Sequence, residues 1–304
     1  MERCDFLPVS AEEMHERGWW WYDALVVSGD AYVDHPSFGT AVISRVLEAE
    51  GLRVAVLAQP DWHDAEAFRA MGRPRLGVFI GAGNLDSMVA HYTAAKRRRS
   101  EDFYSPGKRS GCRPDRAAIV YCNRAREAFG PDMPIILGSL EASLRRFAHY
   151  DYWDDSVRRA ILFDAPADLL VYGMGEAATI EIAHRLKKKQ SVRTMTDIPG
   201  TGYITRDPSV CKFEHITLPS FEDVRDDKHL YAEATRTEYA EHDPIRGRAM
   251  IQPCEGRYLI INPPAMPLDT KELDRVAELP YTREWHPMYE PLGGVPAIEE
   301  VRFS

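Results

Sequence analysis

The chain has 304 residues, of which 44% are hydrophobic and 28% charged, with a net charge of −9. That is the balance of an ordinary globular protein, long enough for two domains at roughly 150 residues each. The acid excess gives no reason to expect nucleic acid as a partner, and no apolar run approaches the roughly 20 residues of a membrane span. Cys4, Cys112, Cys122, Cys211 and Cys254 are scattered without CxxC spacing. This argues against a zinc site or a disulfide framework and for a reduced, cytoplasmic protein.

The first 23 residues are charged, lack the apolar core of a secretory signal, and end in four aromatics from Trp19 to Tyr22. These suit packing of the entry segment onto a sheet, or a binding platform. The stretch 24–28 is apolar without alternation, as in a strand covered on both faces. A loop with Asp30, Asp34 and His35 follows, and then a helix from Ser37 with Phe38, Ala41, Val42, Val46 and Ala49 on one face. Gly51 stops it, and 53–57 is the next strand. This βαβ unit puts its loop where open α/β sheets bind ligands. Further buried strands are predicted at 76–80, 134–137 and 168–172. Helices are predicted over 64–71, around Leu85–Tyr92, from Pro114, after Ser139, and up to Lys189. The basic run 96–99 reads as a solvated helix end. Five strands alternating with helices specify a doubly wound, mostly parallel Rossmann-like sheet of flavodoxin-type order 2-1-3-4-5.

From about residue 191 the alternation stops. The expectation is an irregular, proline-rich α+β extension with a long polar helix over 223–241, a short strand over 258–261 and a capping box at Asp269–Glu272. The last four residues, VRFS, alternate like the beginning of a strand. The end of the chain is expected to be partly disordered on its own beyond about Pro253. The domain division is therefore 1–190 and 191–304.

Three constellations are candidate sites. Gly173-Met-Gly175-Glu-Ala-Ala178 satisfies GxGxxA, but it follows the fifth strand, whereas the dinucleotide fingerprint belongs to the first βα turn. Asp30, Asp34, His35, Asp61 and His63 offer oxygen and imidazole donors suited to a divalent metal; the same groups serve equally to cap helices and tie loops. Asp34-His35-Pro-Ser-Phe-Gly39 does not make the cobalamin signature DxHxxG. Finally, 141–155 concentrates Arg, His, Tyr, Trp and Asp, which suits a pocket lining or a hydrogen-bonded network.

The strings SGDAYVDHPSFG, AQPDWHD, AGNLDSMV, GKRSGCRPDRA, EASLRRFAHYDYWDDSVRRAIL, INPPAMPLDTKELD and GGVPAIEEVRFS together resemble the YgiQ-type radical SAM family, over nearly the whole chain. The resemblance is to the N-terminal half of that family. It implies a Rossmann-like domain, similar to cobalamin-binding domains, preceding a radical SAM barrel. That barrel would carry a 4Fe-4S cluster and S-adenosylmethionine on a CxxxCxxC motif. The motif occurs nowhere in this chain, so no cluster is expected in it alone. The expected partners are the barrel, in cis, and an unknown small molecule. The resemblance and the strand ends together point to Asp30, His35, Ser37, Gly138, Glu141, Gly173 and Glu176 as residues of one interdomain cleft. The reading from another class is a free-standing metal-dependent hydrolase, or a small-ligand module on a flavodoxin-like sheet.

Overall fold

The structure, a computed structural model, describes residues 5–301. Its strands are β1 (Ala24–Ser28), β2 (Val54–Ala58), β3 (Gly77–Gly81), β4 (Ile135–Leu137), β5 (His149–Asp151), β6 (Ser156–Arg158), β7 (Leu169–Val171), β8 (Thr201–Thr205), β9 (His215–Thr217), β10 (Ala249–Cys254) and β11 (Arg257–Ile261). β5 and β6 form a separate hairpin, and the others make one nine-stranded sheet in the order β2-β1-β3-β4-β7-β8-β11-β10-β9. The first five are parallel, in the expected doubly wound order.

Alternation along the strands assigns the two faces. Val26, Val56 and Phe79 point into one core with Ala41, Leu47, Ile182 and Leu186, from the helices Gly39–Ala49 and Glu176–Lys187. Leu25, Val27, Val78, Ile80 and Leu137 point into the other, with Tyr121, Cys122 and Phe129 of the helix Ala117–Phe129. Each fully buried aliphatic side chain contributes roughly 1.5–3 kcal/mol relative to exposure.

The extension shares the same sheet. β8 pairs antiparallel with β7, β11 with β8, and β10 with β11, so the chain near residue 190 is no break in hydrogen bonding. Both cores continue across it: Tyr203, Ile251 and Ile260 join the first, and Met250, Leu259 and Ile261 join the second.

Several expected details are corrected. The polar helix over 223–241 is two helices, Phe221–Asp226 and Lys228–Ala240. Asp227 between them is extended, and its side chain accepts from the N–H groups of His229 and Leu230, which ends one helix and caps the next. The helix foreseen from Pro114 begins at Ala117 because Arg116 takes a left-handed φ of 52°. The capping box stands between Asp269 and Glu272. Beyond Pro253 the chain does find partners: Tyr281, Tyr289, Val295 and Ile298 are buried in the first core. In the VRFS segment, Val301 closes a helix, Ala297–Val301, and residues 302–304 lie outside the described residues.

Residues 281–298 form a strap along the first βα loop. Asp34 N–H donates to the Glu284 carbonyl at 3.0 Å and Arg283 N–H to the Asp34 carbonyl at 2.8 Å. His286 N–H reaches the Tyr32 carbonyl at 3.0 Å, and the Tyr289 hydroxyl accepts from Tyr32 N–H at 3.0 Å.

Candidate functional site

The site is built on the carboxyl ends of β1, β3, β4 and β7. After β1 the chain passes so close to the next loop that a Cβ on Gly29 would lie 2.1 Å from the Ala82 carbonyl oxygen. Only glycine fits that approach. Gly83 (φ +112°) is held likewise against the Asp30 carboxylate. Between these loops and the turns Gly138-Ser139 and Gly173-Met174-Gly175 lies a cavity of about 370 Å³. Its floor is apolar, from Val26, Phe79, Ile136 and Val171; its rim is polar, from Ser37, Asn84, Ser139 and Glu176. The helices Gly39–Ala49 and Glu176–Lys187 both start at the cavity, and neither N-cap residue, Phe38 or Gly175, caps its helix with its own side chain, so their positive dipole ends face it.

Of the seven residues expected to converge, Ser37, Gly138, Gly173 and Glu176 line this cavity. Glu176 brings an Oε2 that is buried and has no hydrogen-bond partner among the described residues. The other three stand behind the lining and hold it. Asp30 is buried, accepting from Arg113 Nη1 at 2.5 Å and from Asn84 N–H at 2.6 Å. Asn84 in turn accepts from Gly39 N–H and donates to the Ser37 carbonyl, so Asp30 sets the cavity wall through one intermediary. Burial pushes the Asp30 carboxyl above its ordinary range, against the opposing pull of Arg113. His35 is buried, and its Nδ1 accepts from Ser37 N–H at 3.1 Å. Burial and the nearby Arg283 charge hold its imidazole below the usual value. Glu141 is fully buried and accepts from Ser87 N–H at 2.8 Å and Ala118 N–H at 3.0 Å, joining the starts of two helices. Burial raises its carboxyl above the ordinary range.

The divalent-metal arrangement is corrected. The buried Arg45 side chain binds both carboxylate oxygens of Asp34, and Arg113 occupies Asp30, so guanidinium groups stand where a cation would. Asp61 and His63 are exposed and pair with each other at 2.6 Å. Among the described residues no three His, Cys, Asp or Glu side chains come together as a metal-holding group. Among the described residues, the cysteines do not form the set of three that a 4Fe-4S cluster needs. Of the four described cysteines, Cys122 and Cys254 are separately buried, Cys112 and Cys211 half-buried, and all four are free.

The 141–155 segment forms a network. Arg116 binds Asp151 at 2.9 Å and Asp154 at 2.7 Å. The N-terminal aromatics pack as rings and cations in turn: Trp21 lies between Arg53 (4.0 Å) and Arg75 (3.4 Å), Tyr22 is buried, and Trp20 is exposed. Sequence reasoning missed Asn84 and Arg113, and carried Ser139 only within the turn from Gly138 to Glu141. Ser139 is legible only as the neighbour of Gly138. Arg113 carries no local signal, since its carboxylate partner Asp30 is 83 residues away.

A doubly wound, mostly parallel α/β sheet with a cavity at its carboxyl edge, continued by a mixed extension of the same sheet, defines a Rossmann-like protein. Within that class, the chain belongs to the Radical SAM N-terminal family, whose model matches residues 6–304. It is 54% identical over 304 residues to a UPF0313 protein of Clostridium botulinum (strain 657 / Type Ba4), covering 100% of this chain and 47% of that protein. A UPF0313 protein of Clostridium perfringens (strain SM101 / Type A) is 52% identical, with 100% and 46% covered. The chain thus spans about half the length of the curated relatives it matches, their N-terminal region. Among solved structures, the radical S-adenosylmethionine methyltransferase TsrM from Kitasatospora setae, with tryptophan substrate and a SAM analog bound, is similar at a TM-score of 0.39 and 20% identity. That match covers 59% of this chain and 28% of TsrM. No helix among the described residues is long and apolar enough to cross a membrane.

Proposed function

We propose that this chain is the accessory, ligand-binding half of a cytoplasmic radical SAM enzyme, and that its carboxyl edge docks against the half bearing the 4Fe-4S cluster and S-adenosylmethionine. The observation that carries this is the cavity between the four strand ends, rimmed by Ser37, Gly138, Gly173 and Glu176. Beside it, Leu140, Leu144 and Met174 are exposed large apolar side chains on the turns and short helix that close the cavity. Exposed apolar groups grouped around a site favour burial by another surface. Family membership and the half-length match supply the occupant: a further domain in the same polypeptide, as in relatives about twice as long. The free cysteines support a reduced compartment. In this reading the present chain binds and orients a small molecule, while the cluster-bearing half supplies the one-electron chemistry.

Hydrogen exchange tests this on the full-length Clostridium botulinum relative and on its N-terminal half alone. The segments matching 139–144 and 173–176 should exchange more slowly in the full-length protein. Equal exchange in both proteins refutes the docking face.

A further inference from the structure

The structure gives the helix-end role expected of 96–99 to Arg99 alone, whose Nε donates to the carbonyls of Val89 and Tyr92. The helix Ser87–His91 ends earlier. Tyr92 then bridges antiparallel to Arg98, and Glu101 to Arg109, so two successive loops stand side by side, three residues apart and hence within about 10 Å. They expose Lys96, Arg97, Arg98, Arg99, Lys108 and Arg109. Three of the acids around them are engaged, while Glu290 and Glu299, on the segments packed against 103–107, are exposed. Asp102 is buried against Arg113; Asp115 is bound by His91 and Tyr92; Asp154 is bound by Arg116 and Arg158. Glu101 is the exposed acid within the loops.

Aromatic rings are interleaved with these cations. Lys96 Nζ lies 4.7 Å from the Tyr152 ring centre, Arg98 5.4 Å from Tyr92, and Lys108 4.8 Å from Phe103. Tyr152 and Phe103 are 47% and 44% exposed. The loops are anchored to the cavity's edge of the sheet: Ala31 N–H donates to the Tyr104 carbonyl, and Gln59 Nε2 to Ser105 Oγ at 2.7 Å.

We propose that this surface, residues 92–111 with Tyr152, binds single-stranded nucleic acid. Cations beside part-exposed rings suit phosphates beside bases, and stacking on such rings contributes about 1–3 kcal/mol per base. An acidic peptide offers charge without a base at each step, and a lipid surface, which also takes basic and aromatic side chains, is separated by the vesicle arm of the test. The whole-chain charge of −9 acts weakly here, because fields are screened beyond about 8 Å at physiological salt. The proposal stands apart from the docking of a second half.

The test is fluorescence anisotropy of a labelled RNA of about twelve unpaired nucleotides with the purified chain, at about 50 and 200 mM salt. Binding should weaken steeply with salt. Arg97→Glu with Arg109→Glu should weaken it at least about tenfold, and Tyr152→Ala at least about fivefold. Lys212→Glu with Lys271→Glu, an equal charge change on exposed residues elsewhere, should leave it within about twofold. Ultraviolet crosslinking to the unsubstituted chain should mark peptides from 92–111 or 150–153, which keeps the test valid if a variant fails to fold. Absence of binding at low salt, equal loss in the control pair, or crosslinks elsewhere overturns the proposal. So does tighter binding to phosphatidylserine vesicles than to RNA, which would reassign the surface to membranes.

Discussion

Arg113→Met removes the charge that holds two buried carboxylates while keeping most of the apolar stem. Arg113, Asp30 and Asp102 are 0%, 3% and 2% exposed as side chains, with contacts of 2.5 and 2.6 Å. Removing one member of such a group leaves uncompensated buried charge and costs about 3–5 kcal/mol. At about 2–4 °C per kcal/mol the melting temperature should fall by roughly 10 °C. The sign with pH follows from Asp30, whose folded carboxyl already sits above its ordinary value through burial and rises further without Arg113. A raised folded value means stability that is present at low pH and lost as pH rises through it. The deficit should therefore be largest at neutral pH and shrink toward about pH 5. Denaturant titration at both pH values measures it. The triple variant with Asp30→Asn and Asp102→Asn should recover much of the loss, since no buried charge remains. A single-variant deficit under about 1 kcal/mol at neutral pH, or one that grows on acidification, refutes the reasoning.

Two other substitutions probe the walls of the site. Gly83→Ala puts a Cβ 2.2 Å from Asp30 Oδ1 at φ +112° and should destabilise the fold by at least about 1–3 kcal/mol; an unchanged melt would contradict the close approach. Asp34→Ala removes the buried carboxylate bound to Arg45, leaving that side chain Glu48, and strips Thr282 N–H of its acceptor, so the strap should loosen. Trypsin should then cut faster after the exposed Arg283, and an unchanged rate would show that the strap is held elsewhere.

The five parallel strands were legible because a strand buried on both faces is a continuous apolar run, as in ALVVS and GVFIG. β8 and β10 were not. TGYIT opens on Thr and Gly, and AMIQPC carries a buried Gln252 and a proline, which read against a central strand. Gln252 is tolerated because its side chain accepts from Ala148 N–H and donates to the Pro219 carbonyl, partners no local pattern announces. In the site, loops at strand ends identified Ser37, Gly138, Gly173 and Glu176. Asp30, His35 and Glu141 sit at the same ends, but whether a carboxylate faces a ligand or a distant arginine is decided by tertiary contacts.

The unbroken sheet has a consequence for how the protein can be divided. Because β8 pairs with β7 through Leu170↔Gly202 and Val171↔Thr201, cutting the chain near residue 190 would leave Leu169–Val171, buried in the intact protein, as a bare apolar edge. Such an edge recruits strands from other molecules. A fragment ending there would be prone to aggregate, and the extension acts as the guard of that edge.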